Sequence, residues 1–107
     1  MAKVVITPAV VSGLDSLLIL LFEKGYFSFK ENAIQYVDDL YNFILSIPSL
    51  RKRPTKSKKF GAWYCRFKPN KHTTWYVTFD VVADVYLIKR IINNHTRDYP
   101  AFIKGIS

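Results

Sequence analysis

A single cysteine, Cys65, leaves this 107-residue chain without an internal disulfide or a zinc site built on several thiolates. That usage suits a reducing compartment, so a cytoplasmic location is expected. Two histidines, His72 and His95, show neither His-x-x-x-His nor Cys/His ligand spacing, so no metal and no other cofactor is expected. The four glycines are scattered at Gly13, Gly25, Gly61 and Gly105, which excludes a glycine-rich phosphate loop, and no Gly-x-Ser-x-Gly elbow occurs. The carboxylates Asp38 and Asp39 are neighbours on a helical stretch and point apart, so they do not form an acid-base pair. Long apolar runs are also missing. Residues 17–22 are only six in a row, far short of the roughly 20 that span a bilayer. Pro8, Gly13 and Asp15 interrupt the stretch that a signal peptide would need.

Acidic residues are scarce, 8 against 16 basic ones, and their placement is uneven. Residues 1–50 hold three basic and five acidic residues, net −2, whereas residues 51–107 hold thirteen basic and three acidic, net +10. Six cations fall within residues 51–59: Arg51, Lys52, Arg53, Lys56, Lys58 and Lys59. A cationic half on a near-neutral support raises the local concentration of polyanions, either nucleic acid or an acidic protein. With 50% apolar and 16% aromatic residues, the chain reads as one folded domain over residues 1–107.

Residues 3–6 are a short β-rich opening. Thr7 then offers a capping hydroxyl and Pro8 the first helical position, where a missing N–H costs nothing. Leu14, Leu17, Leu18, Leu21 and Phe22 follow helical spacing up to Gly25. Ser28 and Glu31 match a capping box for a second helix, whose stripe is Ala33, Tyr36, Val37, Leu40, Ile44 and Ile47 before Pro48. The short link implies a helical hairpin. Beyond the cationic run, residues 60–67 alternate, with Trp63, Cys65 and Phe67 inward and Tyr64, Arg66 and Lys68 outward. Residues 69–71 make a turn, and residues 73–79 place Trp75, Val77 and Phe79 inward and Tyr76 outward. A connection at residues 80–84 leads to a strand at 85–92. There the apolar pairs Leu87-Ile88 and Ile91-Ile92 break the period, so a bulge or two buried faces is required. The order β-α-α-β-β-β defines an α+β fold of two layers, an antiparallel meander plus the N-terminal strand covered by the helical hairpin.

Several residues carry candidate chemistry, each with an ordinary alternative. The cationic run is either a solvated loop or a phosphate-facing one, and Arg66 and Lys68 extend its charge onto the adjoining strand. Arg66 either grips a phosphate bidentately or pairs with a carboxylate such as Asp80. His95 and Tyr99 either serve acid-base chemistry or merely cap the sheet end. Cys65 reads as a buried small hydrophobe.

The strand running into Thr7-Pro8-Ala9, the two helices, the basic link and the strand Ala62-Trp63-Tyr64-Cys65-Arg66-Phe67 occur in a telling order. With the strands at residues 75–79 and 85–92 and the ending Arg97-Asp98-Tyr99-Pro100, the chain resembles the RelE/ParE superfamily of bacterial type II toxin-antitoxin toxins. The resemblance implies a toxin of a plasmid-stabilisation type of module, held inactive by a cognate antitoxin in a hetero-oligomer. It implies either a metal-independent endoribonuclease (mRNA interferase) acting on ribosome-bound mRNA or an inhibitor of DNA gyrase, and no membrane partner. Arg66 matches the strand arginine of the nuclease branch, Arg90 or Lys89 the arginine of the last strand, and His95 or Tyr99 the terminal acid-base group. Asn93-Asn94 precede His95 where many members have His directly after the strand, and the Arg97 to Pro100 ending looks closer to the gyrase-directed branch. Arg51, Lys52, Arg53, Lys56, Lys58, Lys59, Lys68, Lys89 and Arg97 are the candidate contacts to nucleic acid or an acidic partner. Other readings are a non-toxic antitoxin-binding module, or a small RNA-binding domain using Tyr64, Trp75 and Tyr76 among basic residues.

Overall fold

A computed structural model describes residues 2–23, 30–55, 58–68, 73–94 and 99–106. The elements are β1 (Lys3–Ile6), α1 (Pro8–Glu23), α2 (Lys30–Leu45), β2 (Arg53–Pro54), β3 (Trp63–Phe67), β4 (Trp75–Val82), β5 (Val85–Asn93) and α3 (Tyr99–Ile106). This is the expected α+β order, with a two-residue strand inside the cationic run and a C-terminal helix added. The sheet order is β1-β5-β4-β3-β2, with β1 parallel to β5 and the other neighbours antiparallel.

Local chemistry sets the element ends. The Val10 amide donates to Thr7 Oγ1 at 3.4 Å and to the Thr7 carbonyl at 3.1 Å, so Thr7 closes the start of α1 as expected. At the far end of the hairpin, α2 stops at Leu45 and Pro48 lies in a separate 3-10 turn, Ile47–Ser49. That turn keeps Ile47 fully buried, so the apolar stripe outlasts the helix. The expected helix end at Gly25, the cap at Ser28 and the turn at residues 69–71 lie outside the described residues.

Alternation along β3 and β4 sorts side chains between two cores. Trp63, Cys65 and Phe67 register with Phe79, Val77 and Trp75. Their face meets Val10, Leu14, Leu40, Ile44 and Ile47 from the helical side, where burying each large aliphatic side chain contributes about 1.5–3 kcal/mol. On the other face Tyr76 and Ile92 pack with Phe60 and with Phe102 of α3.

The irregular period in β5 is a bulge. Thr78 registers with Arg90 but Phe79 registers with Ile88, which leaves Lys89 as the extra residue. Ile88 and Ile91 therefore join the helical core while Ile92 joins the opposite one. The connection expected at residues 80–84 is shorter than that. β4 continues through Val82, and only Ala83 and Asp84 turn the chain, with Ala83 at a φ of 52°. Aliphatic Val81 and Val82 carry the strand past Asp80 because they still have partners in Tyr86 and Val85. Among the described residues no helix is long and apolar enough to cross a membrane.

One polar link ties the layers. The Trp75 indole, with no exposed surface, donates Nε1–H to the Tyr36 hydroxyl at 2.5 Å, and the two rings lie 6.1 Å apart. Tyr36→Phe strands that buried donor and should lower stability by about 1–3 kcal/mol. An unchanged urea midpoint would show that the indole does not depend on the phenol.

Candidate nucleic-acid interface

The face of the sheet away from α1 and α2 carries the candidate chemistry, and α3 decides its shape. Residues of α3 at i, i+3 and i+4, namely Tyr99, Phe102 and Ile103, turn toward β4. Phe102 is 1% exposed, with ring centroids 5.0 Å from Tyr76, 5.5 Å from Tyr64 and 5.6 Å from Phe60. It anchors the helix over the sheet. Tyr99, the first residue of α3, is thereby held with its ring centroid 5.9 Å from that of Tyr76.

Arg66 and Tyr76 are register partners on β3 and β4, and Arg66 is exposed. Tyr76 is 8% exposed and its ring packs against that of Tyr99. Burial is the main reason its phenol titrates above the ordinary range; the neighbouring Tyr99 pushes the same way, Arg66 pulls it back, and Tyr64 adds a smaller upward push. Arg66, Tyr76 and Tyr99 thus form one electrostatic unit.

Phe60 brings further cations to this side. Its ring lies 5.3 Å from the Arg90 guanidinium carbon and 5.6 Å from Lys59 Nζ. The route there depends on Gly61, whose φ is 109°; a Cβ at that position would lie 3.3 Å from the Phe79 backbone nitrogen and oxygen and from Lys89 Cγ. Only glycine runs this close to β4 in that conformation. Arg53, exposed, registers with Tyr64 in the same row of the sheet as Thr78 and Arg90.

The predicted residues divide accordingly. Arg66, Tyr99 and Arg90 come to one face, joined at its margin by Lys59 and Arg53. Lys89 sits in the bulge with Nζ 3.6 Å from Asp80 Oδ2, and Asp80 Oδ1 accepts the Ala62 amide at 2.8 Å. Asp80 is thus occupied by other partners, four places along β4 from the partner of Arg66, and the pairing of Arg66 with Asp80 is not formed. Lys52 goes elsewhere: its Nζ lies 4.9 Å from the Trp63 ring, whose face belongs to the helical core. The cationic run therefore straddles the sheet edge. Arg51 is exposed and its carbonyl accepts the Cys65 thiol at 3.6 Å, and Lys68 is exposed just beyond β3. Lys56, His95 and Arg97 lie outside the described residues, as does His72, and the side chain of Lys58 is likewise outside them.

Cys65 is 4% exposed, and burial raises its thiol against a smaller opposing pull from Lys52. It is held as a neutral thiol, a core residue as expected. Among the described residues no three His, Cys, Asp or Glu side chains cluster as metal ligands would. What the face carries is an exposed arginine, two neighbouring tyrosines and aromatic rings framed by cations. Tyr76 was the residue sequence reasoning underrated, because an outward strand position reads as solvent unless the Tyr99, Phe102 and Ile103 spacing is seen as a covering helix.

No family model, curated protein or solved structure matches this chain. The fold and the face together define a small α+β domain with a cationic, phenol-bearing sheet surface.

The Tyr76 titration, followed by NMR of ring-labelled tyrosine, tests this geometry with two opposite signs. Tyr99→Phe removes an upward push and should move it to lower pH, whereas Arg66→Gln removes the downward pull and should move it higher. Shifts in the same direction would reject the arrangement.

Proposed function

We propose that this chain is the toxin of a type II toxin-antitoxin module of the RelE/ParE kind, a cytoplasmic, metal-independent endoribonuclease acting on ribosome-bound mRNA. The observation that carries the reading is the exposed Arg66 registered with Tyr76, whose ring packs against that of Tyr99, on a cationic face. Cleavage of RNA without a metal needs three things: a cation for the crowded phosphate, a group that takes the 2′-hydroxyl proton, and a group that gives one to the leaving oxygen. Arg66 suits the first role, and the Tyr99 hydroxyl suits proton donation to the 5′-oxygen. His95, four residues earlier in the chain, has the chemistry of the base. The 2′-oxygen bonds to phosphorus, the bond from phosphorus to the 5′-oxygen breaks, and the products are a 2′,3′-cyclic phosphate and a 5′-hydroxyl.

The face suits nucleic acid in a second way. Tyr64 presents a partly exposed ring, and Arg53, Lys59 and Arg90 surround it, so backbone charge and base stacking both find partners. The same charge suits an acidic antitoxin, since covering this face neutralises it.

Arg66→Ala in cells and in a ribosome-programmed cleavage reaction should lower cutting by about 10²–10³-fold and relieve growth arrest, with the circular dichroism spectrum retained. Full cutting by the variant would reject the assignment. Arrest with no RNA product, lost in cells whose gyrase is resistant, would replace it with the gyrase-directed reading.

A further inference from the structure

We propose that Arg53, Tyr64 and Arg66 form a binding site for one nucleotide of an extended single strand: the two guanidiniums take successive phosphates, and the base between them stacks on the Tyr64 ring. The site deepens the nucleic-acid reading of this face and rests on it, but it needs no cleavage chemistry.

Strand register brings the three residues together. Arg53 of β2 lies directly opposite Tyr64 of β3, so the two side chains leave the sheet on the same face. Arg66 follows Tyr64 by two residues on β3 and shares that face, about 6.6 Å further along. Arg53 and Arg66 are therefore diagonal neighbours about 7–8 Å apart at the backbone, a separation that successive phosphates of an extended strand match. Both arginines are exposed, and Tyr64 between them is half-buried. Asp80, the carboxylate of β4, is taken by Lys89 and the Ala62 amide.

The local chain holds Arg53 more firmly than a two-residue edge strand would by itself. Pro54 confines the residue before it to extended backbone. On one side the Arg51 carbonyl accepts the Cys65 thiol at 3.6 Å, and on the other the Thr55 amide donates to the Ala62 carbonyl at 3.0 Å. Lys52 reaches over Trp63 on the helical side, so alternation sends Arg53 outward. Tyr64 is steadied by its neighbours, with ring centroids 5.5 Å from Phe102, edge-on, and 6.1 Å from Tyr76. Because β2 ends the sheet, no further strand covers this side.

The residue types choose the ligand. A guanidinium pairs with carboxylates as well as with phosphates, so charge alone would suit an acidic protein. A ring set between two guanidiniums gives an acidic peptide little to bind, whereas a base stacks on it. A duplex keeps its bases paired and stacked on one another, so the ligand is an unpaired strand.

The test uses the whole chain and a labelled single-stranded oligodeoxynucleotide, which carries the same phosphates and bases and no 2′-hydroxyl to cleave. Binding is followed by fluorescence anisotropy over a salt series. Arg53→Gln and Arg66→Gln should each reduce the slope of log K against log salt by about 0.7, the loss of one phosphate contact on a single strand. Tyr64→Leu should weaken binding about tenfold with the slope unchanged, and Tyr64→Phe should bind like the unaltered protein. Lys3→Gln, on β1 at the far edge of the sheet, removes the same charge and should leave the slope as it is. The site is overturned if Arg53→Gln behaves like Lys3→Gln, if Tyr64→Leu keeps full affinity, or if a duplex or polyglutamate binds as well as the single strand. Arg53 is exposed at an edge, so its variant decides the matter even where Tyr64→Leu fails to fold. The outcome is separable from the ribonuclease reading. A protein that cuts no mRNA but gives these binding results keeps the site and loses the enzyme; one that cuts while its Arg53 and Tyr64 variants bind normally keeps the enzyme and loses the site.

Discussion

Burial of both faces of β4 is the constraint on which the rest of the molecule depends. From Trp75 to Phe79 every residue is buried, and each neighbour along the strand points into a different core. Trp75, Val77 and Phe79 close the core beneath α1 and α2, and Tyr76 belongs to the core beneath α3. A central strand covered on two sides cannot slip by one residue, because a slip would exchange the two sets of side chains. Register here is therefore fixed by packing rather than by turns. That is why Arg66, which has no packing role of its own, still has a defined place: it rides on the partner of a residue that cannot move.

The bulge at Lys89 extends the same logic to charge. With a regular period, β5 would put either Lys89 or Arg90 on the helical face, where an ammonium or guanidinium costs several kcal/mol unless paired. One inserted residue spares both: Lys89 reaches Asp80, and Arg90 lies over Phe60. Gly61 is the complementary device on the other side of β4, letting the chain pass flush against Phe79 and Lys89. Two local irregularities thus gather cations onto the sheet face that α3 does not fully cover.

Much of this was legible in the residues, and the remainder was not for physical reasons. The period-two pattern at Trp63, Cys65 and Phe67 and the helical stripe through Leu40 and Ile44 survive intact, because each is a one-sided pattern with one solution. Thr7 and Pro8 marked the start of α1 because capping is local chemistry. The apolar pairs in β5 showed that something irregular occurs but not where, since a bulge is settled by the partner strand. The C-terminal helix was missed because eight residues give barely two turns of pattern. Without it Tyr76 looked like solvent-facing surface. Arg66 was found because a strand cation opposite a buried aromatic row stands out; its phenolic neighbours were harder because tyrosine suits core and surface alike.

The cationic run itself has a different standing once the edge is seen. Lys52 lies over Trp63 on the helical side, whereas Lys59 lies over Phe60 on the opposite side, so the run wraps the β2 edge instead of presenting one surface. Charges spread around an edge set a field that reaches outward by about a Debye length, near 8 Å at physiological salt, and so they favour encounter with a polyanion from either side. Arg53 apart, they do not define a geometry. Geometry comes from Arg66, Tyr76 and Tyr99, each of which is placed by a strand register or by the Phe102 anchor. Attraction and orientation are therefore carried by separate residues, and a partner that only neutralises charge engages the first set without reproducing the contacts of the second.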